Sequence, residues 1–555
     1  MWFIGSEAMH RILRGKLIVG IFAGVTLWAS SSVAQYTLDF QTNLYVGIIS
    51  NWPGSYIVGS NTIADVLLIE SGGTLSSDAG CLGYEIGSSN NSAVVTGTNS
   101  VWKGGIVGVP YLYVGYSGAG NSLVISNRGR VSFSFHYIGY NSTSSNNSVL
   151  VTGAGSVWSN TFGNIYVGAH GSANSLIVSN GGQVVNSMFG YGYVGLWGSN
   201  NVVVITGSNS TWKGNDQFFV GWDGASNSVV VENGGQLMSA DSEVGVDAAG
   251  AHNRIVVSGS GSVWTNTGGF TFGYHGGDNE LVITNGGAVF NGLSGVMLGG
   301  PFGSDNKVLV AGTGSVWSTT GGISIGSHGD GNSLVISNGG RAVCSVGSVG
   351  SSTGNSNSVL VTGSGSIWNN GSIAYVGNQG SGNSVTVAGG SMLAAGLVIG
   401  SASVTCDNFV QLDSGSLIVT NATHDAVLEA HNGQLILNGG VLQADELVMT
   451  SDCSVFVRNG GTLIVGGVVI DSNAFRVTSI AQEGSDIRVT WLMGPGQTNA
   501  LQATTGGTDG SYTTNGFSDI FIVPGIISVG SVTNYLDVGA ATNFPTRYYR
   551  VRSVQ

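Results

Sequence analysis

Six tryptophans recur at a nearly constant interval. Trp102, Trp158, Trp212, Trp264, Trp317 and Trp368 are 56, 54, 52, 53 and 51 residues apart, and they close phrases such as Ser-Val-Trp and Ser-Ile-Trp. Between them an Asn-Gly-Gly phrase puts its second glycine at Gly182, Gly235, Gly287 and Gly340, spaced 53, 52 and 53 residues. A shorter period divides this one. Asn121, Asn147, Asn174, Asn201, Asn227, Asn253, Asn279, Asn306, Asn332, Asn357, Asn383 and Asn408 step by 25 to 27 residues. An apolar strand phrase follows most of them, such as Ser122-Leu123-Val124-Ile125-Ser126. A Val-Gly or Ile-Gly phrase precedes most of them, as in Tyr113-Val114-Gly115, Tyr166-Val167-Gly168, Tyr193-Val194-Gly195, Phe219-Val220-Gly221 and Tyr375-Val376-Gly377. Asn61 and Asn91 read as looser early copies, and Asn432 and Asp452 as shorter late ones.

A unit of about 26 residues holds two or three short strands separated by Gly, Asn and Ser turns. One such unit cannot bury its own apolar face. Stacked copies can, because each strand pairs with the same strand of the next coil. The repeat therefore predicts an all-β chain: a parallel β-solenoid over residues 35–471, its coils about 4.8 Å apart. A rod of roughly 15–16 coils would be about 70–75 Å long. A β-propeller also has long β repeats, but a blade has no reason to repeat its own half. The recurring Asn fits a ladder, since its amide both donates and accepts and it tolerates left-handed turns. The tryptophans recur every second coil, roughly 9–10 Å apart. Buried, they are filler; exposed, they form a row of platforms for flat sugar rings or partner side chains.

Composition narrows the class. Glycine accounts for 94 of 555 residues, only 8% of the chain is charged, and there are 6 prolines. Gly has no three-residue period, which excludes collagen, and the scarcity of Lys, Glu and Arg argues against helix. With 16 Lys+Arg and a net charge of −13 there is no basic surface for nucleic acid. Arg11, Arg14 and Lys16, the apolar run Leu17–Trp28 and Ser32-Val33-Ala34 have the build of a secretory signal over residues 1–34. No later segment is apolar enough for a membrane helix. The expected location is therefore secreted or cell-surface. Of the cysteines Cys81, Cys344, Cys406 and Cys453, none forms a CxxC pair. A Cys406–Cys453 bridge would require the two to lie on nearby coils.

The phrases stop near Ile470. Residues 475–555 hold 5 basic residues, against 8 in the 440 residues before them. Asp486–Trp491, Leu501–Thr504 and Tyr548–Val554 read as strands of a small β-sandwich over residues 472–555. Its Val-Thr-Trp and Tyr-Tyr-Arg-Val-Arg phrases resemble fibronectin type III-like modules, departing from them by ending at the Tyr strand. The Asn-Ser-Leu-Val-Ile-Ser-Asn-Gly-Gly and Gly-Ser-Val-Trp phrases, over roughly residues 42–470, resemble the β-helical passenger regions of bacterial autotransporter-type surface proteins. That resemblance implies export, surface exposure and adhesive or structural roles. It does not imply self-transport, because about 80 residues cannot supply a membrane barrel.

The chemistry-bearing residues are sparse. Asp216, Asp223, Glu232, Asp241, Glu243 and Asp247 form the densest acidic stretch, the place where a β-helical polysaccharide lyase or hydrolase would put its carboxylates. A solvated acidic turn face is the simpler reading. His170, His275 and His328 occupy equivalent turns, too far apart for one metal ion. The sequence therefore predicts no catalytic, cofactor or metal site. It predicts an exported solenoid that binds glycans or other cell-surface components, with a β-helical carbohydrate-active enzyme as the alternative.

Overall fold

The computed structural model describes residue 36 and residues 38–554, apart from 106–108, 188, 401–406, 451–453, 471–475, 493–497, 508–509, 514 and 524–531. The expected export signal, Asp452, Cys406 and Cys453 therefore lie outside the described residues. The described residues are all-β, 53% strand and 1% helix. It divides into two compact units, residues 1–295 and 296–555.

In the first unit the two earliest coils carry a short and a long strand, and from Ser92 on each coil carries three short ones, as in Ser148–Thr152, Val157–Asn160 and Ile165–Val167. Every strand pairs in parallel with its counterpart one coil away. Val149 lies beside Leu123 and Leu176, Trp158 beside Val131 and Val184, and Tyr166 beside Tyr137 and Tyr193. Alternate residues point inward, so the first strands bury pairs such as Val149 and Val151, or Leu176 and Val178. In many of them the outward positions carry Ser, then an aliphatic residue, then Ser or Thr, as in Ser122–Ser126 and Ser148–Thr152. Hydroxyls link along this face, as in Ser126 to Thr96 and Ser179 to Thr152, each 2.9 Å.

The six tryptophans are all interior, at 0–1% exposure. Each sits on the second strand and lies between smaller residues of the adjacent coils: Trp158 between Val131 and Val184, Trp212 between Val184 and Leu237, Trp264 between Leu237 and Val289. In the second unit Ala342 separates Trp317 from Trp368. Each indole fills more than one coil's share of a close-packed interior and leaves its counterparts in the adjacent coils room only for smaller residues, so large and small alternate. That alternation is what doubles the 26-residue unit to about 53.

The asparagine ladder is continuous within each unit. From Asn121 to Asn279, each Oδ1 accepts the backbone N–H (2.8–2.9 Å) and the Nδ2–H (3.0–3.2 Å) of the ladder residue one coil earlier. The second unit repeats this from Asn306 through Asn332, Asn357 and Asn383 to Asn408. Two expectations at its ends are corrected. The copy before Asn91 is Asp65, not Asn61: Asp65 N–H donates to Asn91 Oδ1 at 3.0 Å, and Asp65 Oδ1 accepts the Gln41 amide at 2.9 Å. Beyond Asn408 the register pairs Asn408 with Gly433, so Asn432 sits one place off the ladder.

In the second unit parallel pairing ends at Thr462–Val465, which turns back antiparallel onto Val468–Ile470. Two three-stranded antiparallel sheets follow: Arg476–Glu483, Asp486–Leu492 and Val532–Asp537, then Ser518–Val523, Thr498–Thr505 and Arg547–Val554. Val489 and Trp491 of one and Leu501 and Val523 of the other share a buried core. Among the described residues no helix is long and apolar enough to cross a membrane.

Candidate functional site: an outward aromatic column

The third strand of each coil ends in an apolar residue and a glycine, most often Val-Gly, and the residue X before them stands on the outer side of the sheet. Tyr193 and Phe219 are nonetheless covered there by Leu196, Trp222 and Val246. In the first unit the X positions stack in register as Tyr113, Tyr137, Tyr166, Tyr193 and Phe219. Successive ring centroids are 5.2, 4.7, 4.8 and 4.9 Å apart, with interplanar angles of 14°, 2°, 7° and 14°. Strand spacing of about 4.8 Å falls within the centroid separations of offset-stacked rings, so aromatic residues at one outer position of adjacent coils stack without distortion.

The residue after each glycine extends the patch. Tyr84, Tyr116 and Tyr140 stack at 5.1 Å and 16° in both steps, and Tyr113 and Tyr137 meet Tyr116 and Tyr140 edge-on. Tyr111 stacks on Phe135 at 5.4 Å. Farther along, the His170 ring lies 4.3 Å from that of Trp197, which is 51% exposed, and Trp222 tilts against Phe219 at 4.9 Å. Burial is the first cause, and neighbouring tyrosines the next, of the raised phenol pKa values of Tyr113 and Tyr137. The phenols are therefore neutral hydrogen-bonding groups at ordinary pH. Tyr166 accepts a bond of 2.7 Å from Asn164 Nδ2.

Glu243 follows Phe219 in the same column, and Thr271 follows Glu243. Burial, and then Asp241, holds the Glu243 carboxyl above its ordinary range. Asp247 accepts the Trp222 indole N–H at 2.9 Å and lies 3.7 Å from His275 Nδ1. Asp216 lies close by, its carbonyl accepting the Ala240 amide at 3.0 Å, and after burial and the neighbouring tyrosines its charge and that of Glu243 both help to raise the Tyr193 phenol pKa. Glu232 lies on the first strand, paired with Thr206 and Ser258, and Asp241 accepts the Gly269 amide at 2.6 Å. Among the described residues no three His, Cys, Asp or Glu side chains converge to hold a metal ion. His170 and His275 stand apart in separate turns, and His328 belongs to the other unit, 3.2 Å from Ser327 Oγ. Cys81 and Cys344 are buried free thiols, pushed above their ordinary range by burial.

The sequence left two readings of the tryptophans open. Their burial makes them core, and it gives them no face toward solvent. Four of their indole N–H groups are satisfied inside, Trp102 by Ser77 (3.4 Å), Trp158 by His136 (2.8 Å), Trp212 by Asn186 (3.0 Å) and Trp264 by Ser239 (3.3 Å), whereas the buried Trp368 Nε1 has no hydrogen-bond partner among the described residues. The outward aromatics are the tyrosines of the Tyr-Val-Gly phrases. The signal for them was period-two alternation: in Tyr-Val-Gly the Val faces in, so the Tyr faces out. No known protein family matches the chain, and no curated protein matches it.

Proposed function

We propose that the protein is an exported, non-catalytic β-solenoid that binds glycans through the aromatic face of its first unit. The observation that carries this reading is the outward column from Tyr113 to Phe219. A sheet exterior gains little from burying polar rings, yet five successive coils place an aromatic residue at one outward position. Stacking covers most ring faces and buries Tyr193 and Phe219, so the accessible ring edges and phenol oxygens are those of the half-buried Tyr113, Tyr137 and Tyr166. Such a row alternates apolar and hydrogen-bonding groups, as a sugar chain does. Trp197 and Tyr84 add exposed rings at the borders. Low charge and the repeated Ser/Thr columns suit a passive binding scaffold, and the resemblance to surface-protein passenger regions points the same way.

A second reading rests on Glu243. A carboxyl with a raised pKa beside aromatic residues is suited to protonating a glycosidic oxygen. One experiment addresses both. The purified chain is screened on a glycan array, with mass spectrometry of the bound sugars. Binding with intact sugars, lost in Tyr137→Ala and Trp197→Ala but kept in Glu243→Gln, supports the binding reading. Cleaved or unsaturated products, abolished by Glu243→Gln, replace it with the enzymatic one.

A further inference from the structure

Residues 35–474 contain only eight basic side chains, and three of them, Lys103, Arg128 and Arg130, fall within 28 residues. The fold brings two of these to one groove. Lys103 and Arg130 occupy outward positions on second strands of adjacent coils, where Val101 pairs with Arg130 and Lys103 with Ser132. They are diagonal neighbours on one sheet face. Both are exposed, and neither forms an ion pair among the described residues. Between them opens a groove of about 310 Å³, with Ser132, Ser159 and Thr161 on its floor and Pro110 as a wall. Thr161 Oγ1 is tied to Ser134 Oγ at 3.0 Å, which fixes that hydroxyl. The adjoining acid, Asp78, accepts the Gly54 amide through Oδ2 at 3.0 Å, and its Oδ1 lies against Gly105 at the groove's edge.

Pro110 links the groove to the aromatic face. The Pro110 carbonyl accepts the amides of Ser134 (2.9 Å) and Phe135 (3.2 Å), and the next residue, Tyr111, stacks on Phe135. A guanidinium fork, an ammonium and several hydroxyls around one small cavity match an anionic sugar: the cations take the acid group and the hydroxyls take the ring oxygens. The volume is at the low end for small-molecule sites, enough for one or two sugar residues.

We infer that the groove between Lys103 and Arg130 is an anion-recognising subsite, which takes a carboxylate- or sulfate-bearing residue of a longer glycan whose neutral residues lie on the tyrosine face. This rests on the glycan-binding reading and adds the ligand's charge to it. In an acidic protein, which repels polyanions at long range, two unpaired cations supply selectivity at one position.

The test is calorimetric titration of the full chain with three probes: a neutral hexasaccharide, the same chain with uronic acid residues, and the neutral chain carrying sulfate esters. The expected result is that one anionic probe binds about tenfold more tightly than the neutral one, with an advantage that shrinks as salt rises. Which anionic probe gains identifies the acid group. The Lys103→Gln/Arg130→Gln variant should lose that advantage while keeping its affinity for the neutral chain. Lys213→Gln, at an equivalent outward position four coils away, should change nothing. Thermal midpoints of the variants equal to that of the parent chain confirm folding. Equal binding of neutral and anionic probes, or a preference that survives the double substitution, overturns the inference and leaves the glycan reading standing. Failure of all three probes to bind removes both.

Discussion

Gly168 lies directly over Asn201. Gly168 has φ of +76°, and a Cβ built on it would overlap the Asn201 carboxamide, which itself accepts the Asn174 amide at 2.9 Å. The same relation holds in the second unit between Gly326 and Asn357. The Val-Gly phrase and the Asn phrase are thus two halves of one device: the glycine supplies the left-handed turn and the space, and the amide fills it. Gly168→Ala should cost about 2–4 kcal/mol, from a strained φ and a displaced ladder residue together. Asn201→Ala should cost about as much by orphaning the buried donors of Asn174. Because both changes break the same device, the double variant should be clearly less than additive in urea unfolding. Full additivity would show that the two are independent.

Asp65 is the ladder's odd member. It is fully buried, lacks the Nδ2–H that its successors give to the next Oδ1, and has no ion-pair partner among the described residues. Thr62 and the Gln41 amide bond to it, yet desolvation dominates and raises its pKa. A carboxyl whose pKa is higher folded than unfolded stabilises the fold below the unfolded value, and that contribution is lost as pH rises through the folded value. Asp65→Asn restores the missing donor and removes the charge. It should raise stability at pH 7 by about 1–2 kcal/mol and much less at pH 3. Melting at the two pH values checks this; equal gains would remove the ionisation from the explanation.

Much of this fold was legible because a solenoid writes its geometry as period. The 26-residue step and the Asn positions are both readable without coordinates, since each ladder amide answers to the one before it. Asn61 misled because only the step from Asp65 to Asn91, 26 residues, matches the period, and an aspartate does not advertise itself as a ladder amide. The outward tyrosines were harder to identify. Trp has the same spacing regularity, and regularity says nothing about which face a residue takes. The alternation within the strand decides that: Trp158 stands between the half-buried Val157 and Ser159, as an inward residue must. The groove at Lys103 and Arg130 was not legible at all, because it depends on a diagonal relation between coils and on Pro110 closing one side.

The alternation of large and small residues gives a sharper test of packing. Val184 separates Trp158 from Trp212, and its neighbour Asn186 holds the Trp212 indole N–H. Val184→Trp would stack three indoles at strand spacing in an interior without free volume. It should cost upward of about 3 kcal/mol, and a compensating Trp212→Val should recover a large part. Denaturant midpoints of the single and paired variants measure this. A harmless Val184→Trp would mean that the interior tolerates every-coil tryptophan and that the 53-residue period has another origin.

The last prediction concerns acid. Small polar residues, Ser77, Asn186 and Ser239, answer three of the tryptophan N–H groups, but the equivalent position in the coil before Trp158 is Phe133. His136 supplies the acceptor instead. Its Nδ1 takes the Trp158 N–H at 2.8 Å, so its Nε2 carries the proton and donates to the Ser159 carbonyl at 3.0 Å. Full burial pushes its pKa down to about 3. The unfolded chain takes up this proton near pH 6.5 while the folded chain refuses it, so the stability from a neutral His136 is complete above about pH 6.5 and is lost as pH falls toward 3. The parent should be on the order of 3 kcal/mol less stable at pH 4 than at pH 7 from this group alone. His136→Gln keeps an acceptor for the indole and cannot titrate. It should therefore be less stable than the parent at pH 7 and should lose that part of the acid dependence. A His136→Gln curve parallel to the parent's between pH 7 and 4 would show that the ring takes up its proton within the fold, and that the Trp158 contact yields.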